Sequence, residues 1–150
     1  MRYPPPCTQG GVLMEPLRLD EAVRMLEAGR AKAGELGIRV SIAVLDPRGD
    51  LVALNRMDGA LWRSVPISQG KAAASAAWDM PSGDLSDRWD QPVVRALSMM
   101  ENGRLIPWQG ALPIRRPDGA MVGAIGVSGA RPAEDEAVAA AGLAALETQS

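Results

Sequence analysis

The chain has 150 residues and 15.8 kDa, with 47% apolar and 23% charged residues; that is one domain of ordinary globular composition, and it excludes a disordered chain. A net charge of -2 provides no field for gripping a phosphate backbone, so nucleic acid is not an expected partner. The complete absence of histidine removes Ser-His-Asp and Cys-His catalysis, imidazole-held zinc and a proximal histidine for heme.

Residues 1–16 are rich in proline and glycine and show no period. They read as an extended N-terminal arm ahead of a single domain over 17–150. Cys7, the only cysteine, lies in this arm, so no intrachain disulfide and no thiolate metal cluster can form within one chain. Prolines stand where an apolar signal core would be, and no stretch approaches the roughly 20 apolar residues of a membrane span. The expectation is a soluble cytoplasmic protein with no membrane partner.

Asp20 predicts a helix N-cap, with Glu21 in the first turn. Leu19, Val23, Leu26, Arg30 and Ala33 recur at helical spacing, and Gly34 and Gly37 stop the run. Val40 to Leu45 is apolar and β-branched enough for a strand. Asp46-Pro47-Arg48-Gly49-Asp50 has turn chemistry, and Leu51 to Arg56 is the return strand. Met57 to Ala60 breaks the pattern before an alanine-rich helix over Val65–Trp78, with Pro66 in its first turn. Pro81 to Asp84 reads as a loop, and Pro92–Glu101 as a short helix. Leu105-Ile106 and Leu112 to Ile114 are short extended pieces around Trp108-Gln109-Gly110. Arg116-Pro117-Asp118-Gly119 repeats the first turn's chemistry. Ala120 to Val127, apolar on both faces, reads as a central strand. Pro132 opens the last helix, with Glu134, Asp135 and Glu136 in its first turn and Ala139, Leu143 and Leu146 as its inner stripe. The order predicts an α+β fold in layers, an antiparallel sheet of about five strands flanked by helices. With no phenylalanine, the core must be aliphatic.

Four places can carry chemistry. Arg56-Met57-Asp58-Gly59 lies just past a strand end; Arg56 can fork a carboxylate or propionate, and Asp58 can take a proton or orient Lys71. The competing reading is a turn whose Asp bonds its own backbone and whose Arg is solvated. Gly70-Lys71 sits inside a helix, where glycine costs roughly 1 kcal/mol against alanine, so something approaches the helix closely there. Lys71 is then either a partly desolvated amine within reach of Asp58 or a snorkelling surface lysine. Gly123 to Gly129 lacks the spacing of a phosphate cradle; glycines inside a strand clear space for a ligand or a packed helix. Ser128 and the amides beside it point toward the last helix, but the acids there cap that helix and oppose an anion. Trp62, Trp89 and Trp108 fall in or beside loops and can line a planar-ligand pocket, a subunit interface or the core.

Several segments together resemble a known family. They are Leu51-Val52-Ala53-Leu54-Asn55-Arg56-Met57-Asp58-Gly59-Ala60, Lys71-Ala72, Gly110-Ala111-Leu112-Pro113-Ile114, Gly123-Ala124-Ile125-Gly126-Val127-Ser128-Gly129, and Glu134-Asp135-Glu136-Ala137-Val138-Ala139 with Ala141-Gly142-Leu143. The chain resembles the GlcG-like, heme-binding-protein family, which also includes the C-terminal domain of PduO-type proteins. The likeness spans Leu17 to Leu146. It implies a profilin-like layered domain that assembles as a homodimer or larger, with heme or a corrinoid as a family ligand. The matching positions are Asp46, Gly49, Arg56, Asp58, Lys71, Pro113, Gly126, Ser128, Gly129 and Asp135. Two positions depart from the pattern: Gly110-Ala111 replaces a Gly-Gly pair, and Ala74 replaces a threonine. The absence of histidine disfavours heme, leaving Tyr3, Cys7, a methionine or a weak oxygen donor as iron ligands. The resulting expectation is an oligomeric small-molecule-binding protein with a pocket near the strand ends. Arg56, Trp62, Trp108, Gly110, Pro113 and Ser128 are its ligand-binding candidates, with no metal. The alternative is a cofactor-independent lyase, isomerase or cyclase acting on a small organic acid or biosynthetic intermediate through Asp58 and Lys71.

Overall fold

The computed structural model describes residues 15–148, together with the backbone of Thr8–Gln9 and Val12–Leu13. Those two short pieces, β1 and β2, pair antiparallel. Tyr3 and Cys7 lie outside the described residues. The domain then runs α1 (Leu19–Leu36), β3 (Ser41–Leu45), β4 (Leu51–Arg56), α2 (Ser64–Trp78), α3 (Ser82–Ser86), α4 (Pro92–Met100), β5 (Ala111–Arg115), β6 (Met121–Ser128) and α5 (Pro132–Glu147).

Two hairpins build the main sheet. The first closes on Gly49 at φ 85° and the second on Gly119 at φ 88°, conformations that glycine adopts without strain. Asp46 Oδ1 accepts the amides of Arg48 and Asp50, which holds the first turn. The hairpins join through β3 and β6, so the antiparallel order is β4-β3-β6-β5. β6 is central, as its continuous apolar run predicts, and Pro113 stands on the edge strand β5, where a missing amide is tolerated.

The helices cover both faces. α1 and α5 pack together on one face over Met25, Leu26, Ile42, Val44, Ile114, Val122, Ile125, Val127 and Val138. α2 lies on the other, over Leu45, Ala72, Ala74, Leu85, Val94 and Ala124. That second face is made of small groups. A Cβ on Gly126 would stand 2.2 Å from the Ser68 carbonyl oxygen, so only glycine lets α2 rest on β6. The strand glycine clears room for a helix. Trp89 packs against this second cluster.

Three sequence expectations change. The sheet has four strands rather than about five, because Leu105-Ile106 pairs with a helix instead: the Ile106 amide donates to the Gly70 carbonyl at 3.0 Å. A Cβ on Gly70 would meet Ile106 Cγ1 at 2.6 Å and the Arg104 carbonyl at 2.9 Å. The close approach foreseen at Gly70 is therefore made by the chain itself. Asp20 is not the cap of α1; the Arg18 amide donates to Glu21 at 2.9 Å, while Asp20 binds the side chains of Arg18 and Arg24. Finally, the loop expected at Pro81 to Asp84 holds the short helix α3. No helix among the described residues is long and apolar enough to cross a membrane.

Candidate functional site

The strand register gathers the candidates at one end of the sheet. Ser41 at the start of β3 stands opposite both Arg56, the last residue of β4, and Ser128, the last residue of β6. Gly110, just ahead of β5, accepts the Val127 amide at 2.9 Å and so joins the same end. Two distinct arrangements lie there.

The first is buried. Lys71 projects from α2 past the end of β6 and donates to the Val127 carbonyl at 2.9 Å and to Asp135 Oδ2 at 2.9 Å. Both side chains are 2% exposed. The other carboxylate oxygen of Asp135 accepts the Ala130 amide at 3.0 Å. Burial pushes the Asp135 carboxyl above its ordinary value, against the pull of the Lys71 ammonium. Gly110 roofs the pair at φ 138°; a Cβ there would lie 2.7 Å from Lys71 Nζ and 2.8 Å from the Val127 carbonyl oxygen. The ion pair ties α2 on one face of the sheet to the first turn of α5 on the other.

Lys71 therefore does not serve Asp58. It sits midway along α2 rather than near its beginning, and its amine is held by Asp135 on the far side of β6. The Asp58–Lys71 proton-transfer pair is not assembled. Of the three acids opening α5, Glu134 caps, accepting the Arg131 amide at 3.1 Å, and Asp135 holds the ammonium.

The second arrangement is open. Arg30 from α1, Arg39 between α1 and β3, and Asn55, Arg56, Met57 and Asp58 at the end of β4 line a cavity of about 420 Å³. Arg56 forks the Ala60 carbonyl through Nε at 3.0 Å and Nη2 at 2.8 Å, which closes the 56–60 turn and sets the guanidinium at the rim. Arg39 donates to the Ile38 carbonyl at 3.1 Å. Asn55 Oδ1 is buried without a donor among the described residues. Arg30 and Arg39 escaped the sequence reading because isolated arginines on a helix and in a loop look like solvated charges; no local pattern says that they converge.

The tryptophans divide. Trp108, 58% exposed, lines another cavity of about 430 Å³ with Pro81, Asp84, Gln109, Pro132 and Glu136. Trp62, 72% exposed, stands in the turn ahead of α2, and Pro113 lies along β5 opposite Ala124. Neither joins the Arg56 cavity.

Comparison with known proteins follows the same lines. The family described as haem degrading protein HbpS-like matches residues 17–144. GlcG of Escherichia coli K12 is 34% identical over 115 residues, 71% of this chain and 77% of GlcG. A 15.0 kDa protein from the dhaT-dhaS intergenic region of Citrobacter freundii is 29% identical over 128 residues, 85% of this chain and 89% of that protein. The solved PduOC:heme complex superposes with a TM-score of 0.78 at 26% identity, covering 87% of this chain and 95% of that one. A Streptomyces reticuli HbpS double mutant superposes at 0.77 with 30% identity, covering 97% and 99%. The match runs through both hairpins and both helical layers that frame this sheet end, and the chain belongs to the HbpS-like family.

Proposed function

We propose that this chain is a small-molecule-binding protein that holds its ligand at the strand-end cavity of Arg56 and Asp58 and works as an assembly of copies. The observation that carries the reading is that cavity of about 420 Å³, within the size range of ordinary ligand pockets, at a sheet end built from family segments. The solved relatives add support, since one of them is a heme complex by name.

Heme itself fits these residues poorly. The chain has no histidine. Among the described residues, no group of three or more His, Cys, Asp or Glu could hold a metal ion. Lys71 is already committed to Asp135, and Met57 is the one sulfur donor on the cavity wall. A lone thioether is not the strong axial ligand on which tight heme binding rests. The ligand is therefore held by hydrogen bonds and charge rather than through iron. Self-association draws support from apolar side chains left in water, with Trp62 72%, Met99 79% and Met100 78% exposed.

Native mass spectrometry after incubation with a cell extract tests the reading. Retention of a small molecule that Arg56→Ala abolishes is the expected result; no retained compound would overturn it. Hemin titration should show no tight one-to-one complex with a sharp bis-ligated spectrum, and such a complex would refute the iron-free mode. Light scattering at micromolar protein should return a mass above the 15.8 kDa of one chain.

A further inference from the structure

We infer that the cavity of Arg30, Arg39 and Arg56 receives a small organic dianion, a dicarboxylate or a phosphate monoester, and that Arg30 and Arg39 are ligand contacts. The inference rests on the binding reading above and names its ligand class.

Most of the other described arginines are paired with carboxylates. Arg18, Arg24, Arg48, Arg95, Arg104, Arg115 and Arg116 each stand within 4 Å of a carboxylate. Arg30, Arg39 and Arg56 form no ion pair among the described residues, and neither do Arg63, Arg88 and Arg131, but only the first three converge on one cavity, from three separate segments. Three guanidiniums and one carboxylate, Asp58, line that cavity, while the whole chain carries -2. Converging like charges oppose folding, and Asp58 offsets only one of the three here. A bound anion would offset the others. The excess of cation over carboxylate matches two negative charges better than one.

The donor geometry agrees. A guanidinium carries five N–H groups in a planar fork suited to carboxylate or phosphate oxygens. Arg56 uses its Nε and Nη2 edge on Ala60, which locks its plane; Arg39 gives one bond to Ile38, and Arg30 gives none among the described residues. Most of the donors remain for a ligand. The stem of Arg39 passes 3.8 Å from where a Cβ on Gly59 would be, so the turn after β4 supports its position. Because the site is open to water, attraction to it is screened by salt.

Isothermal titration at low ionic strength tests the assignment, with succinate, glycerol 3-phosphate, acetate and glycerol as probes. Succinate or glycerol 3-phosphate should saturate the protein below about 10 mM, with acetate several-fold weaker and glycerol silent. The stronger of the two dianions identifies the source of the charge. The Arg30→Gln/Arg39→Gln double variant should bind the dianion about tenfold more weakly, whereas the Arg48→Gln/Arg95→Gln double variant, an equal charge change away from the cavity, should not. Added salt should weaken binding to the wild type. Acetate or glycerol binding as well as the dianions, unchanged binding in the double variant, or no saturation by either dianion would overturn the assignment. If an uncharged or cationic compound is instead retained and lost in Arg56→Ala, the dianion fails and the binding reading stands. If no compound is retained, both fail.

Discussion

Two sets of cations lie at the same end of one sheet, and they answer to opposite rules. Lys71 is out of water, with Asp135, the Val127 carbonyl and a glycine roof around it. Arg30, Arg39 and Arg56 face an open cavity with no ion-pair partner among the described residues. Removing an ammonium from water costs several kcal/mol, so a buried lysine persists only where its partners are in place before any ligand arrives. An exposed guanidinium keeps its hydration and can wait for a partner. The difference teaches that the cation most conspicuous in the sequence, the rare lysine in a helix, is architectural. The unremarkable arginines are the ones left available for recognition.

The sharpest way to break this comparison is to remove one half of the buried pair. Lys71→Ala or Asp135→Ala should lower unfolding free energy by about 3–5 kcal/mol, because each leaves the other charge buried and alone. Urea denaturation measures it. The Lys71→Met/Asp135→Leu double variant should recover most of that loss; if it is no more stable than the single variants, the pair is not the origin of the effect. Gly110→Ala comes next. Its Cβ would press on Lys71 Nζ and the Val127 carbonyl at a left-handed φ, and about 2 kcal/mol should be lost in the same assay.

A second ion pair lies between the extremes. Arg116 forks Glu21 at 2.7 and 2.9 Å with side chains 14% and 13% exposed, tying the turn after β5 to the start of α1. The hydrogen bonds from Arg116 hold the Glu21 carboxyl below its ordinary 4.5, with burial opposing. Its folded value thus lies below its unfolded one. The stabilisation is present above the unfolded value and is lost as pH falls through the folded value. Glu21→Gln should cost about 1 kcal/mol at neutral pH and flatten the loss of stability on acidification. Stability curves from pH 7 down to about 3 decide this, and an unchanged acid slope would refute it. The smallest effect belongs to the open cavity. Arg39→Gln should change stability by less than about 0.5 kcal/mol in urea, since an exposed side chain with no ion pair contributes little to folding. A larger loss would make Arg39 structural and erase the contrast.

Much of this architecture was legible along the chain. The two turns announce themselves through Asp46, Gly49, Asp118 and Gly119, and the continuous apolar run of β6 places it in the centre. What failed did so for physical reasons. Leu105-Ile106 has strand composition, but its partner is the Gly70 carbonyl in a helix, and a strand-like residue pair says nothing about what it will bond. The three acids opening α5 look alike in sequence as helix-capping carboxylates. Only Asp135 meets an ammonium, 64 positions away in the chain. For the candidate site, Arg56 and Asp58 were visible because a polar run follows a strand directly, whereas Arg30 and Arg39 were not.

The sequence by itself determined the α+β class, the two hairpins, the aliphatic core and the exclusion of histidine chemistry, because periodicity, turn residues and composition are local or summed properties of the chain. It also carried the family likeness, through contiguous segments. Tertiary structure alone decided which charges pair. Lys71 was within reach of Asp58 by helical reasoning, yet packing α2 on Gly126 delivers its amine beyond β6 to Asp135. Packing α1 against β3 and β4 likewise brings three arginines from three segments around one cavity. Charges interact through space, over a few ångströms, and separation along the chain bears no relation to that distance until the layers are stacked.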